Sequence, residues 1–594
     1  MTALPTINID HVKVNDNKLT QITLNKLRDR FKAHGHEPSQ DHWKGLEHIA
    51  KTIEFMAAGV LAPNFYVSFL PPGIGKTSTL IEAVKAMTEA DYQDRGIIIF
   101  LSRLEEINNL VKQMDLPEHE YAVIVSKDRP ENDLGNQAKT EARVLFTTQQ
   151  QLEIRSRRGD AFEQITAFHY KGKPRQVRVW DEAILPSITF TLERYDLSEL
   201  FKTLVREKKH ELKDELEGLF KGLEHTKDGD LVQIPDIDRY GIGLDEAKAW
   251  FEKEENKVAV EALWSLSGRT VRVRVDNFGN TALDYDDILP ADLAPMLILD
   301  ASGQQRNTYK LWFKGRKGLE FLHSPQKSYE GFTIHHWDRG AGKKKQTEDS
   351  ETIIEGVSIT INESIPQDEE VLVIHFKQSR YIKDYEKHIR QRIKVNPERV
   401  KFCNWGRHTA TNDYKHIKHV ILAGILQYNT AQYEAAGRGA KGINYKEELS
   451  PEEYQETRLG EVKHHILQAA CRGAIRNSIK GKCPEGCHLY VIFSSHHRTG
   501  IPREVLDEIF PQATVQDWRP VINLSGRVLQ LADILVAASK NIETIELDKK
   551  WLMEQLGMKH RAQLDVLLKH DDLQAYLEKN WVGLNKKHGK VLLM

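Results

Sequence analysis

The segment Leu70-Pro71-Pro72-Gly73-Ile74-Gly75-Lys76-Thr77 gathers on one short loop the groups that a triphosphate needs. Gly73 and Gly75 let backbone N–H groups approach phosphate oxygens, Lys76 offers a cation to the β and γ phosphates, and the Thr77 hydroxyl suits a magnesium ion. Strand-forming Phe65-Tyr66-Val67-Ser68-Phe69 precedes the loop, while Leu80, Val84 and Met87 mark one helical face behind it. A helix opening there adds the positive end of its dipole, with Pro72, Ile74 and Ser78 completing the cradle. Leu70 stands where such loops usually carry their first glycine. The chemistry this predicts is nucleotide hydrolysis, with ATP and Mg2+ as the bound species. A second string, Arg339-Gly340-Ala341-Gly342-Lys343, lacks the Ser/Thr and a following apolar helix, and reads as a basic loop.

Asp181 and Glu182 follow the run Val177-Arg178-Val179-Trp180, well downstream of the loop. Strand ends are where α/β sheets hold their ligand chemistry. An aspartate there can hold the magnesium, and an adjacent glutamate can orient or deprotonate the attacking water.

Stepping outward, the elements that must carry these groups are short apolar runs: Ile97-Ile98-Ile99-Phe100-Leu101, Ala122-Val123-Ile124-Val125, Val144-Leu145-Phe146 and Met296-Leu297-Ile298-Leu299. Their rhythm predicts a parallel sheet buried between helices. A second set at Val371-Leu372-Val373-Ile374, Val400-Lys401-Phe402, Val420-Ile421-Leu422 and Leu489-Tyr490-Val491-Ile492-Phe493 predicts another α/β domain in tandem. Between them, a charged helical stretch and a hairpin near Val271 to Leu283 read as an insertion. The helices and short strands beyond Pro511 read either as a winged helix, with Lys549, Lys550, Lys559, Arg561, Lys586, Lys587 and Lys590 flanking a duplex-facing surface, or as a helical cap that only packs.

A length of 594 residues allows about four domains. Four cysteines argue against a disulfide framework, and no apolar run is long enough to cross a membrane, so a reducing cytoplasm is expected. A net charge of −2 gives no global attraction to nucleic acid, so any such binding needs a local basic groove. Cys483 and Cys487 read as a turn rather than a metal site. The pairs His335-His336, His464-His465 and His496-His497 read as exposed polar residues.

The order of motifs from Gln40 to Arg476 resembles the superfamily two helicase-like ATPases of the DEAD/DEAH-box class. The resemblance implies two tandem RecA-like α/β domains, with a helical/β insertion in the first and a C-terminal, mostly helical domain of winged-helix type. The expected divisions are an extension at 1–38, a first domain at 39–310 with its insertion near 190–295, a second at 311–510, and the last at 511–594. Gln40 matches the glutamine that reads adenine. Ser102, Arg103, Thr147, Thr148 and Gln149 occupy the places of motifs that touch the nucleic-acid backbone, as do Thr411 and Asn412 in the fifth motif. Asp300-Ala301-Ser302-Gly303 resembles the motif coupling ATP to strand movement. Gln468, Arg472 and Arg476 resemble the sixth motif, whose arginines reach the γ-phosphate. Their spacing is four rather than the usual three, which on a helix keeps both arginines on one face.

The function expected is an ATP-dependent helicase or translocase on nucleic acid, DNA ahead of RNA. An ATPase switch activated by nucleic acid within a larger protein complex is the alternative, and a small-molecule kinase the third reading.

Overall fold

The computed structural model describes residues 5–7, 9, 14–156, 161–276, 279–379, 382–406, 413–495, 500–520, 524, 526–539, 545–580, 582–587 and 590–593. They divide into two compact units. The first takes in the described residues up to Ser328 together with Gln427–Leu467 and Asn477–Lys482; the second takes in Tyr329–Leu426, Gln468–Arg476 and the described residues from Cys483 onward.

The first unit is built on a parallel sheet of seven strands: β1 (Phe65–Ser68), β2 (Ile97–Leu101), β3 (Tyr121–Ile124), β4 (Val144–Thr148), β5 (Val177–Asp181), β6 (Met296–Leu299) and β7 (Leu319–Phe321). They lie in the order β7-β1-β6-β5-β2-β4-β3. Isoleucine, valine and phenylalanine fill these strands because both faces are covered, and β2, β4 and β6 are buried along their whole length. Helices α1 (Lys18–Ala33), α2 (Gln40–Ala58), α3 (Lys76–Ala86) and α4 (Leu104–Met114) bring Leu27, Phe31, Leu46, Ile53, Leu80 and Ile107 to one core. Glu54, fully buried on α2, accepts from the backbone N–H groups of Leu19 and Thr20 at 3.1 and 3.0 Å, and so satisfies the open amino end of α1.

The insertion has its own core and a four-stranded antiparallel sheet in the order Ser187–Glu193, Gly279–Asp287, Thr270–Asp276, Leu231–Gln233. It therefore begins and ends slightly earlier than the stretch 190–295. The charged stretch is two helices, Arg194–Arg206 and His210–Glu224. The helix Thr430–Lys441 returns to this sheet, with Ala431 and Ala435 packed on Leu283 and Glu434 paired with Arg274 at 3.1 Å. A division at residue 311 separates these residues from the unit they pack in: β7 belongs to the first sheet, and the return at 427–467 belongs to the first unit.

The second unit holds a six-stranded parallel sheet: β8 (Thr333–Asp338), β9 (Val371–His375), β10 (Val400–Asn404), β11 (His419–Leu422), β12 (His488–Phe493) and β13 (Thr514–Asp517), ordered β10-β9-β11-β12-β8-β13. After β8 the Arg339 to Gly342 loop leads into a helix, Lys343–Glu363, whose Ile353, Ile354, Val357 and Ile361 are buried. An apolar helix does follow this string, contrary to the sequence expectation. Arg339 is held by Asp349 and Asp572 rather than offered to a phosphate. The last stretch runs helix Gly526–Ser539, strand Ile545–Asp548, helices Lys549–Gln555, Arg561–Leu567 and Asp571–Lys579, then strands Leu584–Lys587 and Lys590–Leu593. The three strands pair antiparallel over a leucine core. Lys549 is buried and bonded to Asp565 at 2.6 Å, so it faces no duplex.

Candidate active site

The loop after β1, Asp181 at the end of β5 and Asp300 just past β6 meet because β1, β6 and β5 are neighbours in register, Ser68 beside Leu299 and Leu299 beside Asp181. Adjacent strands lie about 5 Å apart, so their carboxyl ends converge within reach of one phosphate chain. Gly73 and Gly75 carry φ angles of 78° and 119°, which side chains with a Cβ adopt only under strain. Lys76 opens α3 and folds back to donate to the carbonyls of Leu70 and Pro71 at 2.5 and 3.3 Å. Thr77 and Ser78 are half-buried on the first turn.

Asp181 keeps part of its surface accessible. Removal of water by the surrounding atoms, reinforced by Glu106, nevertheless pushes its carboxyl up to about 7 against the opposing pull of Lys76. A carboxylate so placed is stabilised by a cation, and hard oxygen donors from Asp181 and Thr77 match a magnesium ion. Glu182 sits at φ 79°, a conformation that costs a non-glycine residue on the order of 1–3 kcal/mol. Its N–H donates to the Leu299 carbonyl at 3.2 Å. The preceding carbonyl, that of Asp181, accepts from Gln149 Nε2 at 2.8 Å.

Behind the carboxylates, Tyr309 accepts from the Ile184 N–H at 3.2 Å and donates to Asp300 Oδ2 at 3.0 Å. Burial and Asp300 raise the Tyr309 hydroxyl well above its usual range, so it stays a donor. Ser302 donates to Asp300 Oδ1 at 2.6 Å and lies 2.6 Å from His464 Nδ1, on helix α5 (Pro451–Ala470). Arg306 forms a buried bidentate pair with Glu461 of the same helix, at 2.8 and 2.9 Å. His464 and the buried His465 are thus internal parts of the first unit rather than exposed residues, and in the second unit His336 is likewise buried. His496 and His497 lie outside the described residues.

The remaining predicted residues are placed as follows. Gln40 is the exposed first residue of α2, so no packing turns it toward a base. Ser102 donates to Glu106 Oε2 at 2.7 Å, and Arg103 stands just before the first turn of α4. Thr147 and Thr148 are buried, and the Thr147 hydroxyl donates to the Ile124 carbonyl at 2.7 Å. Thr411 and Asn412 lie outside the described residues. In the second unit, Arg472 donates to Gln468 Oε1 at 2.9 Å and is buried with it. Helix α5 ends at Ala470, and Arg476 closes a separate short turn, Ala474–Arg476. The two arginines therefore do not share a helical face. Between them Gly473 packs so closely that a Cβ would meet Val420 and the Ile417 carbonyl at 2.6 and 2.7 Å.

Sequence reasoning missed Phe31 and His36. His36 Nε2 lies 3.1 Å from the Ile74 carbonyl, and the Phe31 ring covers Gly75 closely enough that a Cβ there would stand 2.4 Å from its Cζ. Aromatic residues preceding the loop are the only trace of this in the sequence. Among the described residues no cluster of three or more His, Cys, Asp or Glu could hold a metal ion, and no helix is long and apolar enough to cross a membrane.

No family model matches the chain, and no curated protein matches its sequence. Among solved structures, XPD in its apo form is similar at 13% identity and a TM-score of 0.47, covering 79% of this chain and 99% of that one. Xpd4 of S. tokodaii is similar at 13% identity and a TM-score of 0.41, with coverages of 80% and 99%. Dbp5 of S. cerevisiae, bound to RNA and ADP BeF3, is similar at 9% identity and a TM-score of 0.28, with coverages of 82% and 95%. Each is a distant likeness of fold, and the chemistry of the site rests on the residues that form it.

Proposed function

We propose that this chain is an ATP hydrolase of helicase or translocase type, acting on nucleic acid, DNA ahead of RNA. The observation that carries the hydrolytic part is the convergence, at the carboxyl ends of three adjacent strands, of Asp181, Asp300 and the loop that leads from β1 to Lys76, with Glu182 beside them. The backbone N–H groups of Gly73 to Thr77 and the Lys76 ammonium bind the phosphates. Thr77 and Asp181 would hold the magnesium ion, which when bound neutralises charge on the β and γ phosphates. Glu182 orients the attacking water and accepts its proton. Ser302, through Asp300 and His464, connects this chemistry to helix α5. Gln468 with Arg472 or Arg476 senses the γ-phosphate, and Ser102, Arg103, Thr411 and Asn412 touch the track; these roles rest on the motifs alone. The two parallel sheets are the tandem RecA-like domains of this reading, and the C-terminal stretch is its winged helix, supported by a strand that pairs with a terminal hairpin after intervening helices.

The test is ATP turnover with and without single-stranded DNA, duplex DNA and RNA, alongside strand displacement. Wild-type turnover should be stimulated by single strands and drive displacement. Lys76→Ala should abolish turnover and Glu182→Gln should lower it at least a hundredfold with nucleotide binding retained. Stimulated hydrolysis without displacement would replace the motor by the switch in a larger protein complex; hydrolysis indifferent to every nucleic acid would remove both.

A further inference from the structure

Gln149 lies where the motif order suggests a nucleic-acid contact, yet its amide is turned inward. Nε2 donates to the carbonyl of Asp181 at 2.8 Å. The same peptide unit is held from its other side, since the Glu182 N–H donates to Leu299 at 3.2 Å. A peptide is planar with its carbonyl and N–H on opposite edges, so two bonds on the two edges fix the plane against rotation about the chain. That plane sets the direction in which the Glu182 Cα–Cβ bond leaves the backbone. Because Glu182 sits at φ 79°, a relaxed backbone would carry its carboxylate elsewhere. Gln149 also lines a cavity of about 300 Å³ with Trp180, Ala183, Ser187 and Arg306, which gives a group entering there a direct route to the amide.

We infer that Gln149 is a positioning residue for hydrolysis: by holding the Asp181 carbonyl it keeps Glu182 in the strained conformation that aims its carboxylate at the attacking water. The inference rests on the hydrolytic reading above. It differs from a track contact in what it predicts when no nucleic acid is present.

The experiment measures kcat and KM for ATP on the full chain, without nucleic acid, for wild type, Gln149→Ala and Gln149→Glu, together with thermal melting and single-strand binding. If wild-type turnover requires single strands, the same constants are taken at saturating strand. The glutamate variant keeps the shape of the side chain and removes the donor. Both variants are expected to lose about tenfold in kcat with KM within about twofold, because a misaimed base costs rate rather than ground-state binding. Melting of the glutamate variant should match wild type. Unchanged kcat with weaker strand binding would overturn the inference and make Gln149 a track contact. A glutamate variant as fast as wild type would overturn it too, since a carboxylate cannot donate to the carbonyl. Absence of wild-type turnover under every condition would instead remove the hydrolytic reading, and this inference with it.

Discussion

A methyl group at Gly75 would stand 2.4 Å from Phe31 Cζ on a backbone already at φ 119°. Gly75→Ala should therefore lower stability by about 1–3 kcal/mol and weaken binding of an ATP analogue, because the loop must move away from the conformation that aims its N–H groups. Denaturant midpoints and analogue titration check both effects. Phe31→Ala opens a cavity of its own in the core, so the test is the double-mutant cycle: the two changes together should cost less than the sum of the single ones, because the collision is gone, and strictly additive costs would mean that the ring is not what limits the loop. At this scale the sequence shows the reactive groups and hides their supports. Gly73, Lys76, Asp181 and Glu182 stand out by type and spacing, and the structure brings them together. The bond from Gln149 to Asp181 is invisible beforehand because it joins residues 32 apart, at the ends of β4 and β5, which only the folded sheet sets on the two sides of β2. The same holds for Ser302 and His464, which are 162 residues apart.

Helix α5 is tied to the segment after β6 by the Arg306–Glu461 pair, whose side chains are 6% and 7% exposed. Removing one partner leaves a charge buried without its counterpart. Arg306→Ala should cost about 3–5 kcal/mol, whereas Arg306→Met with Glu461→Leu should restore most of it, as apolar replacements of matched volume do. Urea unfolding of wild type and the two variants decides the matter, and an Arg306→Ala variant within 1 kcal/mol of wild type, about the worth of an exposed pair, would show that the bridge carries little. The strands rich in β-branched residues were readable at this scale because burial on both faces leaves unbroken apolar runs. Two edge elements were not: β7 spans Leu319–Phe321 and β13 spans Thr514–Asp517, too short or too polar to stand out. The return of residues 427–467 to the first unit was missed for a related reason, since helix Thr430–Lys441 carries no mark of which sheet it packs on.

Across the whole chain, burial holds many imidazoles uncharged. His465 is pushed down to about 3 by burial and by Arg306, and His335 to about 4 by burial and by His488 and His419. Burial also lowers His336, His375, His419 and His488. An unfolded chain takes up these protons near pH 6.5 while the folded chain refuses them. Their contribution is therefore complete above pH 6.5 and declines as the pH falls toward 3, by about 1.4 kcal/mol per pH unit for a deeply buried ring such as His465. Asp181 and Asp196, raised by burial to about 7 and about 6, work in the opposite direction. With the imidazoles in the majority, urea midpoints should drop between pH 7.5 and pH 5; a midpoint that holds or rises would contradict this balance. The order of the chain adds a consequence of its own. Glu434, Ala431 and Ala435 close the insertion's sheet, yet four of the six strands of the second sheet, β8 to β11, precede them. A ribosome making this protein must therefore release most of a second sheet before it delivers the last helices of the first unit. A fragment stopped at Ser328 should emerge with the faces of Leu283 and Arg274 uncovered and prone to self-association.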